Sequence, residues 1–570
     1  MTDSIDHLEG ATMNVHLTPS RLASQRSMGR RAFVAGAAGV GLAALAACGP
    51  DGAPGGPGDA TTPGTGMTPG GTAPMPAYVP YDGVTPDLPG TAAGVAPGFY
   101  NFPKPPLTRD GYPLTGIAPV TALLQGDPPA VAPDKNKNYR LMAEQLGTSV
   151  ETVFGSYANY QDKFQVTMAG GDLPDLVQVI SVTQLPRLLE ANFTDLTEFL
   201  AGDAVKKYPG LANIPTATWK VATVNGRIWG VSRPQPPAGL VVNYRADILA
   251  ERGVTETELQ PQSGAEFLEL MKKLTDAGQG RFAMGADPTA WLIAIAKQMA
   301  GTPNGWAREG ETFVSDIESP QMKDALDFAA QVWKAGCLHP NSFSDPAQNG
   351  VWYSSGVTAL FIRGFNGWDF NIRANPDTTI GALVPPKLAG GGPAPVHLTP
   401  AGYAAFVGMR KTEDTKRIED LLRVFDYCAS PFGTEQYLGL NYGVEGYSYT
   451  MGDDGNPAPI ANAPTTPDSW TYAGGSRAMT LYSQGDRASV DLRHDYMSSV
   501  LPEGIEDAST GLYSETASGK AATMVKQRDD VVRQIIQGSQ PVTAWDEYVK
   551  RWKSEIGDAM AAEYAEAAGH

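Results

Sequence analysis

Seven consecutive residues, Arg363-Gly364-Phe365-Asn366-Gly367-Trp368-Asp369, set two aromatic rings beside a guanidinium, an amide and a carboxylate. That mixture suits a sugar. The apolar C–H face of a pyranose stacks on an aromatic plane, while its hydroxyls need planar polar partners. The two glycines suit a loop. The chain holds 10 Trp and 22 Tyr, and several fall outside helical core spacing: Trp291, Trp306, Trp352, Tyr403, Tyr442, Tyr447 and Trp470. Of these, Trp291, Trp306, Tyr403 and Tyr442 join Arg363, Phe365, Asn366, Trp368 and Asp369 as candidate ligand-binding residues. Leu292, Ile293 and Ile295 follow Trp291, so a core position suits it equally. Trp333, Trp545 and Trp552 sit at helical spacing and read as core.

Catalytic and metal-binding patterns are mostly missing. There is no Gly-x-Ser-x-Gly elbow and no His-Glu-x-x-His. Ser518-Gly519-Lys520-Ala521 lacks the upstream glycine of a phosphate loop. Asp134-Lys135-Asn136-Lys137-Asn138 opens like a calcium loop, but Tyr139 stands where glycine is required and Gln145 where a bidentate glutamate is required. A helix N-cap is the simpler reading there. Asp486, Asp491 and Asp495 could supply the paired carboxylates of a glycosidase, yet solvation of a helix surface accounts for them equally. Cys337 and Cys428 lie in apolar surroundings and read as buried thiols rather than a disulfide. Six scattered histidines give no zinc spacing. The expectation is a binding protein that does no covalent chemistry and needs neither cofactor nor metal.

The chain that carries these residues is expected outside the cytoplasm. Arg30-Arg31 precedes an uncharged run of small and apolar residues that ends in Leu45-Ala46-Ala47-Cys48. That order is an export signal of the twin-arginine kind. The run of about 16 residues is short of the ~20 that span a bilayer. Cys48 at the cleavage point resembles a lipobox, so the chain is expected on the outer face of the cell membrane, held by lipid on Cys48. Residues 49 to 106, rich in Gly, Pro, Thr and Ala, read as a flexible tether. The net charge of −18 argues against nucleic acid or anionic lipid as partners. The chain beyond residue 106 is too long for one core, which predicts two lobes.

From about residue 116 the pattern alternates. Strands are predicted at 120–124, 149–154 and 176–180, with helices at 138–147, 159–169, 264–277, 321–335, 415–429 and 543–566. The alternation implies mainly parallel sheets covered on both faces. Asn225-Gly226 is a hairpin signal. Arg233-Pro234-Gln235-Pro236-Pro237-Ala238 is stiff, extended and poor in helix formers.

Several ordered segments carry a family resemblance. They are Met168-Ala169-Gly170-Gly171-Asp172-Leu173-Pro174-Asp175, Phe193-Thr194-Asp195-Leu196, Val224-Asn225-Gly226-Arg227-Ile228-Trp229-Gly230, Asn243-Tyr244-Arg245-Ala246-Asp247, Asn441-Tyr442-Gly443-Val444-Glu445-Gly446, and Pro541-Val542-Thr543-Ala544-Trp545. Together these resemble the bacterial extracellular solute-binding proteins of ABC importers, above all the long lipoprotein subclass of the family that includes maltose-binding protein. The resemblance implies an α/β, two-lobed periplasmic-binding-protein-like (type II) fold, with a cleft between lobes joined by a multi-strand hinge. The expected layout is a signal peptide at 1–47 and a lipidated, tethered stretch at 48–106. A first lobe takes 107–235 and about 400–450, and a second takes 236–399 and about 451–570. The resemblance places crossings between the lobes at 233–238, near 396–402 and within 445–490. The resemblance also implies a monomer that hands a mono- or oligosaccharide, uronic sugars included, to ABC permease subunits. It adds Asp172, in the Gly-Gly-Asp-Leu-Pro-Asp turn, and Glu445 to the candidate ligand contacts. A peptide or other small solute in the same fold is the alternative, as is a secreted carbohydrate-active enzyme.

Overall fold

The computed structural model describes residues 73–569, apart from 92, 158, 376 and 476. The twin arginine and Cys48 lie outside the described residues.

Two mixed sheets organise the chain. The first has five strands in the order Val150–Gly155, Val120–Gln125, Leu176–Val179, Phe406–Met409 and Gly230–Val231. Its first three strands are parallel, and Phe406–Met409 runs antiparallel to both its neighbours. Val120, Ala122, Leu123, Leu124 and Leu176 are fully buried, as expected where helices cover both faces of a sheet. The second sheet has four strands in the order Ile380–Leu383, Leu240–Arg245, Thr358–Gly364 and Phe282–Met284. Here Leu240–Arg245 is antiparallel to both neighbours. The alternation predicts mainly parallel strands, and the difference has a topological cause. Phe406–Met409 and Leu240–Arg245 each enter their sheet from the other one, so no right-handed β-α-β crossover sets their direction.

Local signals explain the elements. Helix Lys137–Leu146 starts at Asn136, whose side chain accepts the Asn138 N–H, and stops at Gly147 with φ +72°. Asn136 and Asn138 are also bonded to the Pro464 and Thr465 carbonyls, which fits the N-cap reading of the 134–138 segment. Asn225 and Gly226 both have positive φ between antiparallel partners, as a tight hairpin turn requires. Helices Gln321–Lys334 and Thr415–Cys428 lie where the apolar period predicts them. Cys337 and Cys428 are free and buried.

Two chain crossings join the sheets side by side. Residues 233–238 leave Gly230–Val231 and enter Leu240–Arg245; residues 384–405 return from Ile380–Leu383 to Phe406–Met409. They are bonded to one another, with Gln235 N–H donating to Ala401 O at 2.8 Å and Tyr403 N–H to Arg233 O at 2.9 Å.

Composition places residues 49–106 outside the folded body, and for 73–106 the structure differs. Ala73, Ala77 and Val79 donate to the Gly226, Gly202 and Ala212 carbonyls of the first lobe. Further on, Val95 and Ala96 pack in a core with Val241, Phe361 and Val396. Phe99 and Phe102 are buried among Phe432, Tyr437 and Tyr482. Strand Gly98–Phe99 pairs in parallel with Leu481–Tyr482. Few apolar side chains suffice here because the segment fills a groove already built by others, so it needs no core of its own.

Candidate functional site

A cavity of about 570 Å³ opens between the two lobes. On one side it is lined by Phe365, Asn366, Asp369 and Arg373, just after second-sheet strand Thr358–Gly364. On the other it is lined by Tyr437, Asn441 and Tyr442, from helix Glu435–Asn441 and its C-cap. Residues 468–486, with Arg493 from helix Arg487–Val500, complete the wall. Arg233, in the first crossing, reaches it as well.

The lining falls into three chemical groups. Phe365, Tyr437, Tyr442 and Tyr482 present aromatic surface. Asn366, Asn375, Asn441 and Gln484 present amides, and Thr378, Thr471, Thr480 and Ser483 hydroxyls. The charged residues are Arg233, Arg373, Arg477, Arg493, Asp369, Asp468 and Asp486. Burial pushes the hydroxyls of Tyr437, Tyr442 and Tyr482 up from the ordinary tyrosine range, so all three are neutral donors at pH 7.

A tyrosine cluster adjoins Arg233. Its guanidinium lies 4.8 Å from the Tyr403 ring and 4.4 Å from the Tyr472 ring. The Tyr472 and Tyr157 hydroxyls are 3.2 Å apart. Tyr157, 56% exposed, follows the carboxyl end of strand Val150–Gly155. The short helix Asp468–Ala473 approaches the same end of the sheet: a side chain at Gly126 would stand 2.3 Å from Ser469 Oγ. Ligands of open α/β sheets collect beyond the carboxyl ends of strands, and the cluster lies at that edge, joined to the cavity lining through Arg233.

The candidates from sequence divide clearly. Phe365, Asn366, Asp369 and Tyr442 line the cavity together. Tyr403 stands behind Arg233 as its stacking partner. Arg363 does not line it: its guanidinium lies 4.7 Å from the Phe370 ring and donates to Asn371 Oδ1 at 3.3 Å. It crosses so close over Gly367 that a Cβ there would lie 2.0 Å from Arg363 Nε, so Arg363 shapes the loop. Trp368 is 1% exposed and its indole N–H donates to Ile380 O at 2.7 Å; it is a core residue beneath the loop. Trp306 is also core, 6% exposed and packed against Trp552 and Tyr564. Trp291 is 39% exposed on the turn Pro288–Leu292, outside the cavity lining. Asp172 is exposed in the turn that precedes strand Leu176–Val179, at the end of the sheet opposite the tyrosine cluster. Glu445 lines a separate hollow of about 270 Å³ with Leu141, Gln145 and Glu435, built within the first lobe alone. Among the described residues no His, Cys, Asp or Glu cluster could hold a metal ion.

Sequence reasoning missed Arg233, Tyr157, Tyr437, Tyr472, Arg477 and Tyr482. Arg233 was legible only as the start of a stiff crossing. Tyr472 and Arg477 sit in a segment with no periodicity, and their signal is compositional at best.

Comparison with known proteins agrees with the fold. The family model described as "Bacterial extracellular solute-binding protein" matches residues 140–438. The polygalacturonan/rhamnogalacturonan-binding protein YtcQ of Bacillus subtilis is 21% identical over 457 residues, covering 76% of this chain and 88% of its own. Among solved structures, the alginate-binding protein AlgQ2 aligns with 80% of this chain and all of its own, at 15% identity and a TM-score of 0.55. A human-milk-oligosaccharide (HMO) binding solute-binding protein of Bifidobacterium longum infantis aligns with 79% and 98%, at 13% identity and a TM-score of 0.57.

Proposed function

This chain belongs to the bacterial extracellular solute-binding protein family, and from that premise we propose that it captures a mono- or oligosaccharide between its lobes and presents it to an ABC permease. The observation that carries this reading is the cavity's lining: aromatic faces, amides and hydroxyls contributed from both lobes. A sugar has an apolar face and a polar rim, and this wall offers a counterpart to each.

The mechanism is capture without chemistry. Ligand that touches both lobes does so fully only when they are closed, so binding shifts the population toward the closed form. The paired crossings at 233–238 and 384–405 suit a hinge, since a few extended residues can absorb the rotation. The permease then reads the closed shape. Lipid on Cys48 would hold the protein at the outer face of the membrane, and a monomer suffices for delivery. Relatives named for binding polygalacturonan/rhamnogalacturonan and alginate support a carbohydrate ligand. No catalytic role is assigned to any residue.

A thermal-shift screen of the purified full chain against mono- and oligosaccharides, polyols and short peptides tests this. A ligand at a hundredfold excess over Kd stabilises the fold by roughly 2.7 kcal/mol. The expected result is a raised melting temperature with one sugar group and no consumption of that sugar. A response confined to peptides, or turnover of the sugar, would overturn the proposal.

A further inference from the structure

The cavity's charge runs against that of the molecule. The chain carries 61 acidic against 43 basic residues, yet the cavity holds four arginines against three aspartates and no lysine, histidine or glutamate. Two of the aspartates have internal work. Asp369 is paired with Arg373 and lies 3.6 Å from Arg493. Asp486 caps helix Arg487–Val500 through the Ser489 N–H and hydroxyl. Arg493 is bonded inward, to Ser489 O at 3.1 Å and Ser483 Oγ at 2.7 Å.

Two guanidiniums are left over. Arg233 is held by the faces of Tyr403 and Tyr472, and Arg477 by the face of Tyr442, 5.7 Å from its centroid. Neither has an ion pair with a carboxylate among the described residues; Asp369 and Asp468 act on Arg477 only at longer range. Arg477 is exposed and lines the cavity. A guanidinium held against an aromatic plane keeps its N–H fork free for an incoming oxyanion.

From this geometry we infer that the ligand is an acidic sugar, a uronate whose carboxylate is taken by Arg477, with Arg233 as the second cationic contact. The inference rests on the carbohydrate reading above and narrows it. A carboxylate matches the fork bidentately. The excess of one cation over the aspartates also fits a singly charged group better than a doubly charged phosphate. The aromatic and amide lining then takes the rest of the sugar.

The experiment is a calorimetric titration of the full chain with digalacturonate, its dimethyl ester, the neutral galactose disaccharide and a mono-sulfated galactose disaccharide. The acid is expected to bind at least roughly tenfold tighter than the ester, the range of a hydrogen bond to a charged group, and to weaken as salt rises. Arg477→Gln should bring the acid-to-ester ratio close to one, and Arg477→Lys should restore part of it. The wild-type ratio and its salt dependence decide the matter even if Arg477→Gln folds poorly. Equal affinity for acid and ester, tighter binding of the neutral or sulfated sugar, or an unchanged ratio in Arg477→Gln overturns the uronate inference and leaves the carbohydrate reading standing. No response to any sugar here or in the thermal-shift screen, with a rise from peptides alone, overturns both.

Discussion

His397 shows how one half-buried group ties stability to pH. It lies in the second crossing, where its backbone N–H donates to Gln298 Oε1 at 3.3 Å and its Nε2 is 3.0 Å from Thr302 O. Burial first, and the neighbouring Lys297 second, lower its pKa to about 4, with Asp316 opposing them. An unfolded chain binds that proton near pH 6.5, so the folded state loses ground as pH falls from about 6.5 to 4. The loss between pH 7 and 5 is about 2 kcal/mol. Urea unfolding at both pH values should show a smaller drop for His397→Gln than for the natural chain; equal drops would assign the acid sensitivity elsewhere. The same scale explains which site residues were legible. Phe365, Asn366 and Asp369 follow from a loop that mixes rings with polar groups. Trp306 and Trp368 do not differ from them in type, and only the depth of packing, which no local pattern records, makes them core.

At the scale of elements, strands and helices were readable because each has a period and a stop: Lys137–Leu146 between Asn136 and Gly147, Gln321–Lys334 through its apolar stripe. Strand direction was not, since it depends on which sheet the chain has just left. The segment 73–106 was misread for a related reason. Its apolar residues are sparse but land in grooves of both lobes, and Arg109 just beyond is clamped by Asp426 at 2.6 Å, both side chains buried. A chain beginning at 107 should therefore melt below one beginning at 73, since burial of Phe99 and Phe102 alone is worth roughly 1.5–3 kcal/mol each. It should also bind ligand more weakly, because Leu481 and Tyr482, partners of Gly98 and Phe99, line the cavity. Identical melting curves would return the segment to the status of a tether.

At the scale of the whole molecule, length called for two lobes, and the family and its structural neighbours bear that out. Net charge spoke only of partners to exclude. Its contrast with the cavity could be drawn only once folding had brought residues from 233 to 493 to one place. The central claim is that solute binds in this cavity, between the lobes. Ala478 lines it, and Ala478→Trp should fill it with little else disturbed. Titration of the natural chain and of Ala478→Trp with the best sugar from the screen is the direct test. Loss of binding in a variant that still melts cooperatively is the result predicted; undiminished affinity would place the solute elsewhere and contradict the account.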